Sequence, residues 1–161
     1  MTEWTQRAHV LADHAVSGVL GHVSSLHFDT MSELLWVGSA SGQLTSHTGA
    51  LPTLPRYTSL AAHGAPKQPR HVRGILSDDK FIISLSEGRV CASQRQGLGR
   101  WSMQIEDHAP GVALAGLCAS PQSASSDIIV GGAAPNSHDA LFALHSISGR
   151  IVRSAVSDGT V

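Results

Sequence analysis

Residues 33–46 read ELLWVGSASGQLTS. Four apolar side chains in a row, Leu34 to Val37, stop at small residues, and an alternating pattern resumes after Ser41-Gly42. A strand covered on both faces runs continuously apolar, whereas a strand with one solvated face alternates. The stretch is therefore expected to form an inner strand, a glycine-containing tight turn and a half-exposed outer strand.

The same signature returns twice. Glu33 precedes LLWV, Lys80 precedes FIISL and Asp127 precedes IIV, at two successive intervals of 47 residues. The turn and outer strand SGQL (41–44) return as EGRV (87–90), while the third copy has the longer GGAAPNSHDAL (131–141). Another apolar run stands ahead of each inner strand: VSSLHF (23–28), VRGIL (72–76) and VALAGLC (112–118). A histidine in a short linker precedes each of those: His22, His63 and His108. A fourth run closes each unit, RYTSLAA (56–62), RWSMQI (100–105) and RIVRSAV (150–156).

Four short strands per roughly 40–50 residues, opened by a linker histidine, is the habit of propeller blades. Each blade is a small twisted sheet whose two faces are covered by its neighbours, so its inner strands lose the polar alternation. The expected fold is all-β, an incomplete β-propeller of about three four-stranded antiparallel WD-repeat-like blades. Their bounds are about 22–62, 71–105 and 111–156, with the start of a fourth at 157–161. Trp36 is expected to be buried between the first two blades, and His22, His63 and His108 to tie linkers to blades. No run of 12 or more residues holds a helical period, and residues 1–20 fit either a partial helix or an edge strand. Propellers close with typically four to eight blades, so three units imply a piece of a longer array. Uncapped outer faces would then invite association.

The bulk composition agrees with a globular domain. The 161 residues are 42% hydrophobic and 14% charged, and 11 Lys and Arg face 12 Asp and Glu for a net charge of −1. No overall field of either sign exists to hold nucleic acid or an anionic membrane. The N-terminal MTEWTQRAHVLADHAVSGVLGHV has no apolar run near the ~18 residues of a membrane span, nor a signal-peptide core. A soluble cytoplasmic chain is the expectation. Cys91 and Cys118, each in an apolar run and outside any CxxC, read as buried reduced thiols.

Reactive chemistry is thin. The 10 histidines are scattered, and no HExxH, CxxC or carboxylate-rich loop accompanies them. GSASG (38–42) fails as a nucleophile elbow because Ala40 stands at its centre. GLGRW (97–101) lacks the helix of a phosphate loop and reads as a turn. Catalytic, cofactor and metal residues are accordingly expected to be absent from this chain. The one basic concentration is KQPRHVRG (67–74), with Lys67, Arg70 and Arg73 in a proline-containing insert. Arg89, Arg95 and Arg100 join it near Trp101, a grouping that suits either a solvated loop or weak contact with RNA or a partner.

Three segments together carry a resemblance: SLHFDTMSELLWVGSASGQLTS (25–46), RYTSLAAH (56–63) and VRGILSDDKFIISLSEGRVCASQRQGLGRW (72–101). In order and spacing they resemble the N-terminal propeller of the catalytic subunit of the poly(A)-nuclease (PAN) deadenylation complex, in its fungal members. Residues 111–161 resemble that family only in outline, and GALPTLP (49–55) departs from its short link. The resemblance implies a seven-bladed WD-repeat propeller, followed by a linker that binds a pseudokinase-like adaptor subunit. An inactive ubiquitin-hydrolase-like domain and a metal-dependent exonuclease come after it. None of the catalytic carboxylates has a counterpart here, so any divalent metal is expected only in that downstream nuclease domain. What the resemblance implies for this chain is non-catalytic scaffolding in poly(A)-tail shortening and mRNA decay, engaging the adaptor and poly(A)-binding-protein-coated mRNA. Two alternatives stand beside it: the amino end of an active poly(A)-specific 3′-exoribonuclease, and an unrelated small propeller-like protein-binding scaffold.

Overall fold

In the computed structural model the residues described are 22–48, 55–65, 68–95, 99–107, 111–120, 127–133, 139–145 and 147–156. Residues 1–20, Lys67, His108 and the segment 157–161 lie outside them. The chain divides into two compact units, Met1–Val72 and Arg73–Val161.

In the first unit a meander of β1 (Val23–Asp29), β2 (Leu34–Ser39), β3 (Gln43–Thr48) and β4 (Arg56–Ala61) forms one antiparallel sheet in that order. The apolar run Leu34–Val37 lies in β2, and the change to small residues after it has a steric cause. A Cβ on Gly38 would stand 2.6 Å from Val72 Cγ1 and would also strike Ser25 Oγ. Ser39 then builds the turn: its carbonyl accepts the Gly42 N–H at 3.1 Å and its Oγ accepts the Gln43 N–H at 3.1 Å. Gly42, at φ 81°, supplies the left-handed residue the turn needs.

β3 corrects the expectation of a half-exposed outer strand. It is third of four, paired with β2 and β4, and Leu44, Thr45, Ser46 and His47 are all buried. Its alternation comes from polar side chains with a buried partner, not from solvent: Thr45 Oγ1 and His47 Nε2 lie 3.1 Å apart on one face. Burial of such groups is tolerable because they bond each other.

The proline-containing insert folds back on itself as a two-stranded ladder, β5 (Gly64–Ala65) and β6 (Gln68–Pro69), where the sequence suggested only a loop.

The second unit holds two further four-stranded antiparallel sheets. One is β7 (Gly74–Ser77), β8 (Phe81–Leu85), β9 (Arg89–Gln94) and β10 (Arg100–Gln104); the other is β11 (Ala113–Ala119), β12 (Asp127–Ala133), β13 (Asp139–His145) and β14 (Ile151–Val156). A single 3-10 turn, Ile105–Asp107, connects them among the described residues. β11 lies against β7, and the two sheets share one core. Alternate residues build it: Phe81, Ile83, Leu85, Val90 and Ala92 from one sheet, Leu114, Ile128, Val130, Ala140, Phe142 and Leu144 from the other. Period-two selection of this kind is what a packed sheet face requires.

Two aspartates organise the hairpin turns. Asp29, buried, accepts the Met31 N–H at 3.1 Å and bonds the Ser32 hydroxyl. Asp78 Oδ1 accepts the N–H groups of Lys80 and Phe81 at 2.7 and 2.6 Å. Each carboxylate satisfies backbone donors that a tight turn leaves free, between the first and second strands of its sheet.

Candidate functional site

The linker histidines occupy different environments. His22 is exposed, and its carbonyl accepts the Ala40 N–H at 2.8 Å. His63 is buried, 2% exposed, with its N–H donated to the Gly42 carbonyl at 3.0 Å. Both main-chain bonds anchor the β2–β3 turn region to the segments flanking the sheet. Trp36 is buried, at 6% exposure, and directly faces His27 and Ser46 across the sheet.

Among the described residues the arginines have different surroundings. Arg73 Nη2 sits 3.4 Å from Glu87 Oε2 and Nη1 donates to the Leu114 carbonyl at 3.3 Å. The Arg73 N–H is given to the Leu85 carbonyl at 2.7 Å. With the pair's side chains 40% and 63% exposed, the charge attraction itself contributes little. The residue's geometric role is to clasp the two sheets of the second unit, together with the Leu114 N–H bond to the Glu87 carbonyl at 2.6 Å. Arg95 Nε donates to the Asp78 carbonyl at 2.5 Å, and Arg89 Nη2 reaches Ser102 Oγ at 3.5 Å. Arg100 is exposed, but strand alternation puts it on the face opposite Trp101. Arg70 is half-buried. Arg89, paired with Gln104 and reaching Ser102, thus shares with Arg100 the face opposite Trp101, while Arg70, Arg73 and Arg95 stand outside the strands.

The thiols differ from the expectation of two buried cysteines. Cys91 is buried, and burial pushes its thiol from the ordinary 9.0 up to about 11, the nearby Arg89 charge opposing only in part. At neutral pH it is a protonated small hydrophobe and a poor nucleophile. Cys118 is exposed, because its partner across the ladder is Ile129, on the outward face of the third sheet.

Apolar surface is the other exposed feature. On β1, Leu26 and Phe28 share a face and are each 53% exposed, with Met31 at the following turn 68% exposed. On the third sheet an open groove of about 640 Å³ runs between Gly116, Cys118, Ile129, Gly131 and Leu141. Sequence patterning hid these positions, since an apolar run does not say which of its residues meet a neighbour. Among the described residues no group of three or more His, Cys, Asp or Glu is arranged to hold a metal ion. No helix there is long and apolar enough to cross a membrane.

Such a geometry, three blade-like four-stranded sheets, is matched by known proteins. The profile of the family described as PAN2 N-terminal covers residues 8–134. The chain belongs to the PAN2 N-terminal family. Relatives of this family member include the PAN2-PAN3 deadenylation complex catalytic subunit of Aspergillus oryzae, 44% identical over 84 residues. That of Schizosaccharomyces pombe is 36% identical over 85 residues. The alignments take in 52% and 53% of this chain but 7% of each relative, so the chain spans a small part of those proteins. Among solved structures, the Neurospora crassa Pan2 WD40 domain superposes with a TM-score of 0.69 at 25% identity, covering 86% of this chain and 39% of that one. BamB from Moraxella catarrhalis, at TM-score 0.57 and 14% identity over 84% of this chain and 37% of its own, shares the fold alone. The sheets described above are therefore blades of an incomplete WD40-type propeller.

Proposed function

We propose that this PAN2 N-terminal chain is a non-catalytic docking portion of a poly(A)-specific deadenylase subunit, acting in poly(A)-tail shortening and mRNA decay in the cytoplasm. The observation that carries the reading is the family match over residues 8–134. Its physical support is the nature of the surface. The structure offers exposed sheet faces, such as that of Leu26 and Phe28, and the one thiol with a shifted pKa is held in the unreactive form. The chain's partners in this reading are the adaptor subunit of the complex, pseudokinase-like in character, and mRNA coated with poly(A)-binding protein. Hydrolysis, and the divalent metal it uses, belong to a nuclease domain elsewhere in the full-length subunit.

Within the chain, His22, His63 and His108 serve as structural residues that hold linkers to blades, and Trp36 as a buried packing residue of its blade. Lys67, Arg70 and Arg73 serve as weak contacts to RNA or partner, Arg73 also reaching Glu87 and the Leu114 carbonyl.

The test is a deletion in the full-length subunit. Removing the propeller is expected to leave hydrolysis of naked poly(A) within a few-fold of the intact subunit. Shortening of protein-coated tails by the adaptor-bound complex is expected to fall far more. Equal loss on both substrates would overturn the docking role.

A further inference from the structure

We draw no further inference here: the strongest candidate, the open apolar groove on the outward face of the third sheet between Cys118, Ile129, Gly131 and Leu141, is an unpartnered sheet face, and nothing in the structure shows what covers it.

Discussion

Gly38 and Val72 touch so closely that no side chain fits between them: a Cβ on Gly38 would lie 2.6 Å from Val72 Cγ1, and Val72 has no exposed surface to retreat into. The Val72 N–H is also fixed to the Ser39 carbonyl at 3.1 Å, and Ser24 Oγ donates to the Val72 carbonyl at 2.7 Å. Backbone and side chain are both held. Gly38→Ala is therefore predicted to destabilise the first unit by about 1–3 kcal/mol, the usual cost of overpacking. The readout is a lower urea midpoint at unchanged slope; an unchanged or higher midpoint would show that Val72 yields freely.

Trp36 is the largest buried side chain of β2. Truncating it to alanine removes the apolar contacts of an indole from a strand whose next three residues are buried too. The predicted loss for Trp36→Ala is about 3–5 kcal/mol, followed by far-ultraviolet circular dichroism because the mutation removes a fluorophore. A loss under about 1 kcal/mol would mean that the ring is dispensable to the packing.

The two thiols should separate kinetically. A thiol-reactive disulfide reagent below pH 9 is expected to modify Cys118 at once and Cys91 only on unfolding. The buried thiol also gives a pH dependence of definite sign. Its folded pKa, about 11, lies above the 9.0 that the same thiol has when burial is removed. Between those values the unfolded chain has released the proton and the folded chain keeps it, so stability falls as pH rises. The contribution is whole below pH 9 and lost as pH climbs through about 11. Cys91→Ala should flatten that part of the stability profile; an identical slope in the variant would assign it to other groups.

Exposed apolar side chains on two sheets predict association of the isolated chain. Leu26 and Phe28 on the first sheet and Leu141 on the third, 52% exposed, add little to their own sheets but present surface that water covers poorly. Light scattering after size-exclusion chromatography should give a mass above that of one chain. Leu26→Ser with Leu141→Ser should reduce it. A monodisperse wild-type monomer would contradict the expectation.

Much of this architecture could be read from residue types. The runs at Leu34, Phe81 and Ile128 marked the second strand of each four-stranded sheet, where polar alternation is missing, whereas β3, also interior, keeps polar residues by pairing Thr45 with His47. Direction along the array was harder. Phe81 and Ile128 stand one repeat interval apart, yet they enter the same core from opposite sides. In stacked sheets equivalent residues point the same way, so the third copy is displaced by an odd number of residues. A one-residue slip exchanges the faces of a strand, and apolar residues on both faces leave no mark of the exchange. It is also why Cys118 reads as buried from its neighbours but is exposed.

For the basic residues the lost information was pairing. KQPRHVRG looks like a patch as text, but Arg73, while still exposed, also reaches Glu87 and the Leu114 carbonyl. Likewise, Thr45 and His47 look like a solvated face until their mutual contact is seen. Asp29 and Asp78, which form the turns, carried the ordinary turn signal of aspartate and were legible in principle.

The docking account is tested most directly by tail shortening on RNA coated with poly(A)-binding protein. The full-length deadenylase complex and magnesium would be present, and the purified chain titrated in. The chain is predicted to slow shortening as its concentration rises, by occupying the partners its own surface recognises. In the lane without the complex it should release no nucleotide. Shortening of the tail by the chain alone, or a rate indifferent to any excess of it, would contradict the account.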